Sequence, residues 1–148
     1  MTRQSVFILV PRLDSSGPVR GAIALANSLV NTYKVFLVVF KPSPTHTLSI
    51  DPFVELVDLS LPSTSSWLKA SSRYSCFLKH YLASNPQSIS ISFCLMPDFV
   101  NIFSFTNTIS LSSVRGNLVK NYFFTYGVPG YFLAFFHYSL LFFFRRIV

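Results

Sequence analysis

Hydrophobic positions along the chain fall into short apolar runs separated by stretches of helical periodicity. The first run, at 5–10, halts at a turn-forming stretch, 11–17. Pro18 then suits the first position of a helix capped by Ser16 or Gly17. Val19, Ala22, Ile23, Ala26, Leu29 and Val30 recur at helical spacing, with Arg20, Asn27 and Asn31 on the other face. Residues 34–40, KVFLVVF, show no polar alternation after the lysine, as expected of a strand covered on both faces.

After a loop at 41–52, residues 53–59 alternate as another strand. Trp67, Ala70, Tyr74, Phe77, Leu78 and Tyr81 mark the buried face of a long helix that Asn85-Pro86 ends. SISISF at 88–93 alternates strictly, and Pro97 and Asp98 suit the first turn of a short helix running to about Phe105. Residues 108–112 form the next strand, 131–144 an almost wholly apolar helix, and Ile147-Val148 stands where one more strand would begin. The order β-α-β-β-α-β-α-β-α predicts an α/β, Rossmann-like open parallel sheet with helices on both faces, in one domain spanning 1–148.

Composition narrows the function classes. With 51% hydrophobic and 11% charged residues in 148, the chain can bury one sizeable core and is not intrinsically disordered. Twelve Lys and Arg against five Asp and Glu give +7, yet every acid precedes Phe99, so the last fifty residues carry four cations and no acid. These cations are dispersed among Phe and Ser, outside any nucleic-acid-binding motif, which argues against nucleic acid as a partner. Cys76 and Cys94 form neither a metal pattern nor a disulfide framework and read as buried or half-buried thiols in a reducing compartment. No metal site is visible. The apolar run at 6–10 is too short for a secretory signal, so a cytoplasmic chain is expected.

In such a sheet, ligands bind outside the carboxyl ends of the strands. Three segments share that edge: 11–20, 94–98 and 112–120. Ser15, Ser16 and Gly17 precede a helix N-terminus, where free N–H groups favour an anion, although GPVRG is neither a dinucleotide fingerprint nor a P-loop and also fits an ordinary tight turn. Arg20 reads as a solvated helix residue or a ligand contact. Arg115-Gly116-Asn117 offers a guanidinium fork beside a permissive glycine, or a plain turn. Asp98 is a candidate base, or a carboxylate placed for the helix dipole. None of His46, His80 and His137 pairs with a recognisable nucleophile. The run at 131–144 would be about 21 Å long as a helix, short of the ~30 Å of a bilayer core; it suits a buried or domain-contact helix, or an interfacial one beside Arg145-Arg146.

FILVPRLDSSGPVRGAIALANSLVNTYKVFLVVFKP resembles the opening of the family 4 (group 1) glycosyltransferases of the GT-B fold, with Leu25-Ala26-Asn27-Ser28-Leu29 in the place of their L-A-N-x-L segment. Ser113-Val114-Arg115-Gly116-Asn117, the Y-x-x-x-Y-G stretch from Tyr122 to Gly127, and His137-Tyr138 are similar to later parts of the same N-terminal domain. The resemblance implies a retaining transferase that moves a sugar from a nucleotide-sugar, its donor substrate, to a polysaccharide or lipid-linked acceptor. No further cofactor is implied. It also implies a chain truncated before the nucleotide-sugar-binding C-terminal domain and its E-x7-E motif, since Glu55 is the one glutamate present. The substrate- and phosphate-binding residues it carries over are Ser16, Gly17, Arg20, Arg115, Gly116 and Asn117. Many family members place a sugar-contacting His after a central strand, and here Arg115 stands near that place. A chain with one wall of an interdomain cleft is expected to be inactive alone, cytoplasmic or peripheral on the inner face of the cell membrane. The competing expectation is a noncatalytic protein held to an anionic membrane surface by the aromatic C-terminal helix.

Overall fold

The computed structural model describes residues 3–41, 49–59, 61–62, 65–82, 88–104, 108–114, 116–144 and 146–147. The Asn85-Pro86 helix stop, His46, Arg115 and Arg145 lie outside them. In chain order the elements are β1 (Ser5–Val10), α1 (Gly17–Leu29), β2 (Lys34–Val39), β3 (Glu55–Asp58), α2 (Trp67–Leu82), β4 (Ser88–Phe93), α3 (Leu95–Phe103), β5 (Ile109–Ser113), α4 (Leu118–Tyr126), α5 (Pro129–Leu141) and β6 (Arg146–Ile147). Six strands form one sheet in the order β3-β2-β1-β4-β5-β6, and every pairing is parallel. The expected α/β Rossmann-like architecture is therefore the one observed.

The central strands separate two apolar layers because successive side chains point to opposite faces. Val6, Ile8 and Val10 of β1, with Val35, Leu37 and Val39 of β2, meet Val19, Ala22, Ile23 and Ala26 of α1. Phe7, Leu9, Phe36 and Val38 meet Ala70, Tyr74 and Leu78 of α2 and Met96 and Val100 of α3. Burial on both faces is why these strands read as unbroken apolar runs. At the sheet edge β3 is shorter than its alternation suggests, and three of its four residues are exposed. It is tied to β2 through an exposed Lys34–Glu55 ion pair of 3.0 Å.

In β4 the polar positions are the more buried ones. Ser88, Ser90 and Ser92 are buried, while Ile89 and Ile91 are half-buried against the α1 layer. The serine face stays hydrogen-bonded because α2 and α3 bring polar tips to it, as buried polar groups require. Tyr74 Oη lies 2.8 Å from Ser90 Oγ, and Ser92 Oγ donates to Asp98 Oδ1 at 2.6 Å. Asn101 Nδ2 donates to the Ser90 carbonyl at 3.2 Å and to Ser92 Oγ at 3.1 Å.

Two helices also depart from expectation. Helix α4 is additional, and Asn117 caps it by accepting from the Lys120 N–H at 3.0 Å. Helix α5 starts two residues earlier than its apolar run and ends at Leu141. Gly130, Ala134, His137 and Leu141 form its inner stripe, and Tyr131, Phe132, Phe135, Phe136 and Tyr138 are exposed. It is thus a half-buried helix with an aromatic outer face. Among the described residues, no helix is long and apolar enough to cross a membrane.

Candidate functional site

Strand order reverses between β1 and β4, which opens a crevice at their carboxyl ends. The chain leaves β1 through a loop held by Asp14, whose Oδ1 accepts the Ser16 N–H at 3.0 Å and whose Oδ2 accepts Arg12 Nε at 3.1 Å. Partial burial opposes ionisation of Asp14, but the bonds from Ser16 and the Arg12 guanidinium outweigh it and hold this carboxyl below its usual value. Ser16 is the N-cap of α1 and makes no side-chain capping bond, so helix-start N–H groups remain at the rim. Gly17 faces open space, with no atom within 4 Å of where a Cβ would stand.

The chain leaves β4 through Cys94, the one non-glycine residue with positive φ (78°) among those described. Such a backbone costs about 1–3 kcal/mol and persists only where surrounding structure holds it. Burial, reinforced by the negative fields of Asp98 and Asp14, pushes the Cys94 thiol up to about 12, so it stays protonated at neutral pH. Cys76, expected to be at least half-buried, is exposed on α2. It lines a groove of about 490 Å³ between α2 and α3 with Ser72, Ser75 and Lys79.

Where the β1, β4 and β5 ends meet α4 and α5, a pocket of about 210 Å³ is lined by Pro18, Cys94, Ser113, Val114, Leu118, Asn121, Tyr122 and His137. Behind it lies a hydrogen-bonded chain that local sequence patterns do not reveal. His137 Nε2 is 2.6 Å from Asp98 Oδ2, with both side chains buried, and His137 Nδ1 is 2.9 Å from the Tyr122 hydroxyl. A neutral imidazole satisfies both bonds with its proton on Nε2, donated to Asp98, and its Nδ1 accepting from Tyr122. Burial, with the nearby Cys94 and Asp98, pushes the Tyr122 phenol well above its ordinary value.

Asp98 stands in the first turn of α3, where the dipole reading places it, and its carboxylate is also enclosed between Ser92 and His137. His137 has a partner that sequence reasoning did not find, 39 residues away. The available signal was a histidine on the small-residue stripe of α5, where an imidazole in an apolar interior needs polar company. Of the residues singled out from sequence, Ser16 and Gly17 sit at the rim and Arg20 is exposed on α1. Gly116 (φ 78°) and Asn117 occupy the exposed turn into α4. Asn117 is engaged as a cap. Lining of the pocket by both Pro18 and Val114 brings the α1 start and the β5–α4 turn to one edge.

No family model matches the chain, and no curated protein matches it. Among solved structures it is similar to sucrose-phosphate synthase from Thermosynechococcus elongatus, with a TM-score of 0.60 and 12% identity. The likeness is one of fold. It covers 94% of this chain and 40% of the synthase chain, so this chain spans less than half the length of that enzyme. The arrangement is thus an α/β Rossmann-like fold, shared with part of that synthase, with its crevice in the usual place for a ligand.

Proposed function

We propose that the chain is the acceptor-side domain of a retaining GT-B glycosyltransferase of the family 4 type, working on a nucleotide-sugar donor and a polysaccharide or lipid-linked acceptor. The observation that carries this reading is the pocket at the carboxyl edge of a 3-2-1-4-5-6 sheet, with a free helix start at its rim. The fold likeness to an enzyme named for making a sugar phosphate supports it. In this reading Ser16 and Gly17 approach the donor phosphates through the α1 N-terminus. Arg20 supplies a cation at the cleft edge, and Arg115, Gly116 and Asn117 contact donor or acceptor.

Transfer in such an enzyme needs groups fixed on both sides of a closed cleft. In this reading these 148 residues supply one side, so on their own they should not turn over. The test is an assay of the purified chain against nucleotide-sugars and glycan or lipid acceptors, with and without a separately produced nucleotide-binding domain of a family 4 enzyme. Product only when that domain is added supports the reading. Multiple turnovers by the chain alone, or no product in either arm from a folded chain, refutes it.

The exposed rings of Phe124, Phe132, Phe135 and Phe142 favour a second reading, in which the protein rests peripherally on an anionic membrane surface. The acid-free last fifty residues agree with it. Binding to vesicles containing anionic lipid that is weakened by salt supports this reading; equal binding to neutral vesicles, or none to either, refutes it.

A further inference from the structure

Titratable side chains from three helices converge behind the pocket: Asp98 from α3, Tyr122 from α4 and His137 from α5. A purely structural role would need no outlet to a cavity, yet Tyr122 and His137 both line one. We infer that Asp98, His137 and Tyr122 form a proton relay whose open end, the Tyr122 hydroxyl, accepts the proton of a sugar hydroxyl held in this pocket. The substrate class rests on the transferase reading; the relay itself rests on the side-chain geometry.

The lining decides what kind of ligand fits. Pro18, Val114 and Leu118 give it an apolar wall, and Ser113, Asn121 and Tyr122 give it neutral hydrogen-bonding groups. No Lys, Arg, Asp or Glu stands among the described lining residues. The group that sets the field inside the pocket is Asp98 behind it, which disfavours a second negative charge at Cys94; Asp14 adds to it there, while at the rim its own charge is paired with Arg12. A phosphate in the pocket would meet that field unfavourably. A neutral polyol that donates O–H bonds and lays an apolar ring face on the wall meets it favourably. At about 210 Å³ the space is below the ~300–1,000 Å³ of drug-sized pockets, which matches one sugar ring.

The step balances as follows. With His137 neutral, its Nε2–H is donated to Asp98 and its Nδ1 accepts the Tyr122 O–H, leaving a Tyr122 oxygen lone pair free to accept the acceptor O–H. As the acceptor oxygen bonds to the anomeric carbon, the bond from that carbon to the donor's phosphate oxygen breaks and its electron pair leaves with the nucleoside diphosphate. The acceptor proton passes to the Tyr122 oxygen while the Tyr122 proton passes to Nδ1. No free phenolate forms, in keeping with the raised phenol. The resulting imidazolium lies against the Asp98 carboxylate, at 2.6 Å, until it returns its proton through Tyr122 to solvent or to the departed phosphate. Around His137 the titratable groups are Asp98, Tyr122 and, through Tyr122, Cys94 and Tyr126.

The test uses the full chain labelled with nitrogen-15 in histidine, titrated with methyl glucoside, methyl mannoside and methyl galactoside, and separately with inorganic phosphate. The expected result is saturable binding of at least one hexoside, with the His137 Nδ1 resonance moving toward the protonated-nitrogen position, because a Tyr122 oxygen that accepts a bond becomes a better donor. Tyr122→Phe, which removes one oxygen, should weaken that binding about tenfold and abolish the Nδ1 response. If Tyr122→Phe fails to fold, His137→Gln serves, and it should lower affinity while keeping a folded spectrum. Binding of phosphate but of no hexoside overturns the inference, as does hexoside binding that leaves Nδ1 unmoved or survives Tyr122→Phe unchanged. Hexoside binding with the Nδ1 response but no transfer with any partner domain would remove the transferase reading and keep the site. Transfer unimpaired by Tyr122→Phe would remove the relay and keep the reading.

Discussion

A methyl group added at Gly130 should pull the buried relay apart. A Cβ there would stand 2.2 Å from the Tyr122 carbonyl oxygen, 2.5 Å from its carbon and 2.8 Å from the Phe123 nitrogen. All three are backbone atoms, so no side-chain rotation relieves the clash, and ordinary contact begins only at 3.4 Å. Helix α5 must therefore retreat from α4 by about 1 Å, since repulsion rises steeply inside contact distance. The Tyr122 hydroxyl to His137 Nδ1 bond, 2.9 Å in the native fold, would lengthen beyond hydrogen-bonding range. Overpacking of this kind costs about 1–3 kcal/mol, and the lost bond adds about 1 kcal/mol. Gly130→Ala should thus lose about 2–4 kcal/mol, a large part of the ~5–15 kcal/mol that holds a typical domain folded. Urea unfolding followed by circular dichroism measures this, with Gly17→Ala as the matched control. At Gly17 the added methyl meets nothing within 4 Å and no positive φ is required, so that variant should be neutral or gain up to ~1 kcal/mol. A loss below ~0.5 kcal/mol for Gly130→Ala, or equal losses for the two variants, would refute the close-approach argument.

Three further outcomes are expected. Tyr74→Phe should cost about 1–2 kcal/mol by orphaning the buried Ser90 hydroxyl, and the double change with Ser90→Ala should cost less than the sum of the two singles; additive losses in urea unfolding would contradict the 2.8 Å bond. Iodoacetamide at pH 8 should label exposed Cys76 and spare Cys94, whose thiol titrates near 12; because that folded value lies above the ordinary 9.0, its contribution to stability is full below about pH 9 and falls away as pH rises toward 12, which mass spectrometry and alkaline unfolding curves would check. Replacing Phe124, Phe132, Phe135 and Phe142 with Ser should reduce self-association in sedimentation velocity without lowering the unfolding midpoint, since these rings lie outside the apolar clusters; an unchanged sedimentation coefficient in an associating sample would contradict it.

The sequence determined those parts of the fold that local periodicity encodes. Strands β1 and β2 were legible because burial on both faces demands uninterrupted apolar residues. Helices α1 and α2 were legible from one-sided stripes, and Ser16 with Pro18 marked the start of α1. The parallel sheet followed from the alternation of these elements, which also placed the candidate loops on one edge. Tertiary structure decided the rest. Helix α4 buries only Leu118 among its described residues, so no amphipathic stripe announced it. The inward face of SISISF could not be read from alternation, because its serines are satisfied by Tyr74, Asp98 and Asn101, supplied by helices α2 and α3. The Asp98–His137–Tyr122 chain was hidden for the same reason: hydrogen bonds between residues 15 and 39 positions apart leave no periodic trace, and only the docking of α5 against α3 and α4 brings their polar atoms within reach.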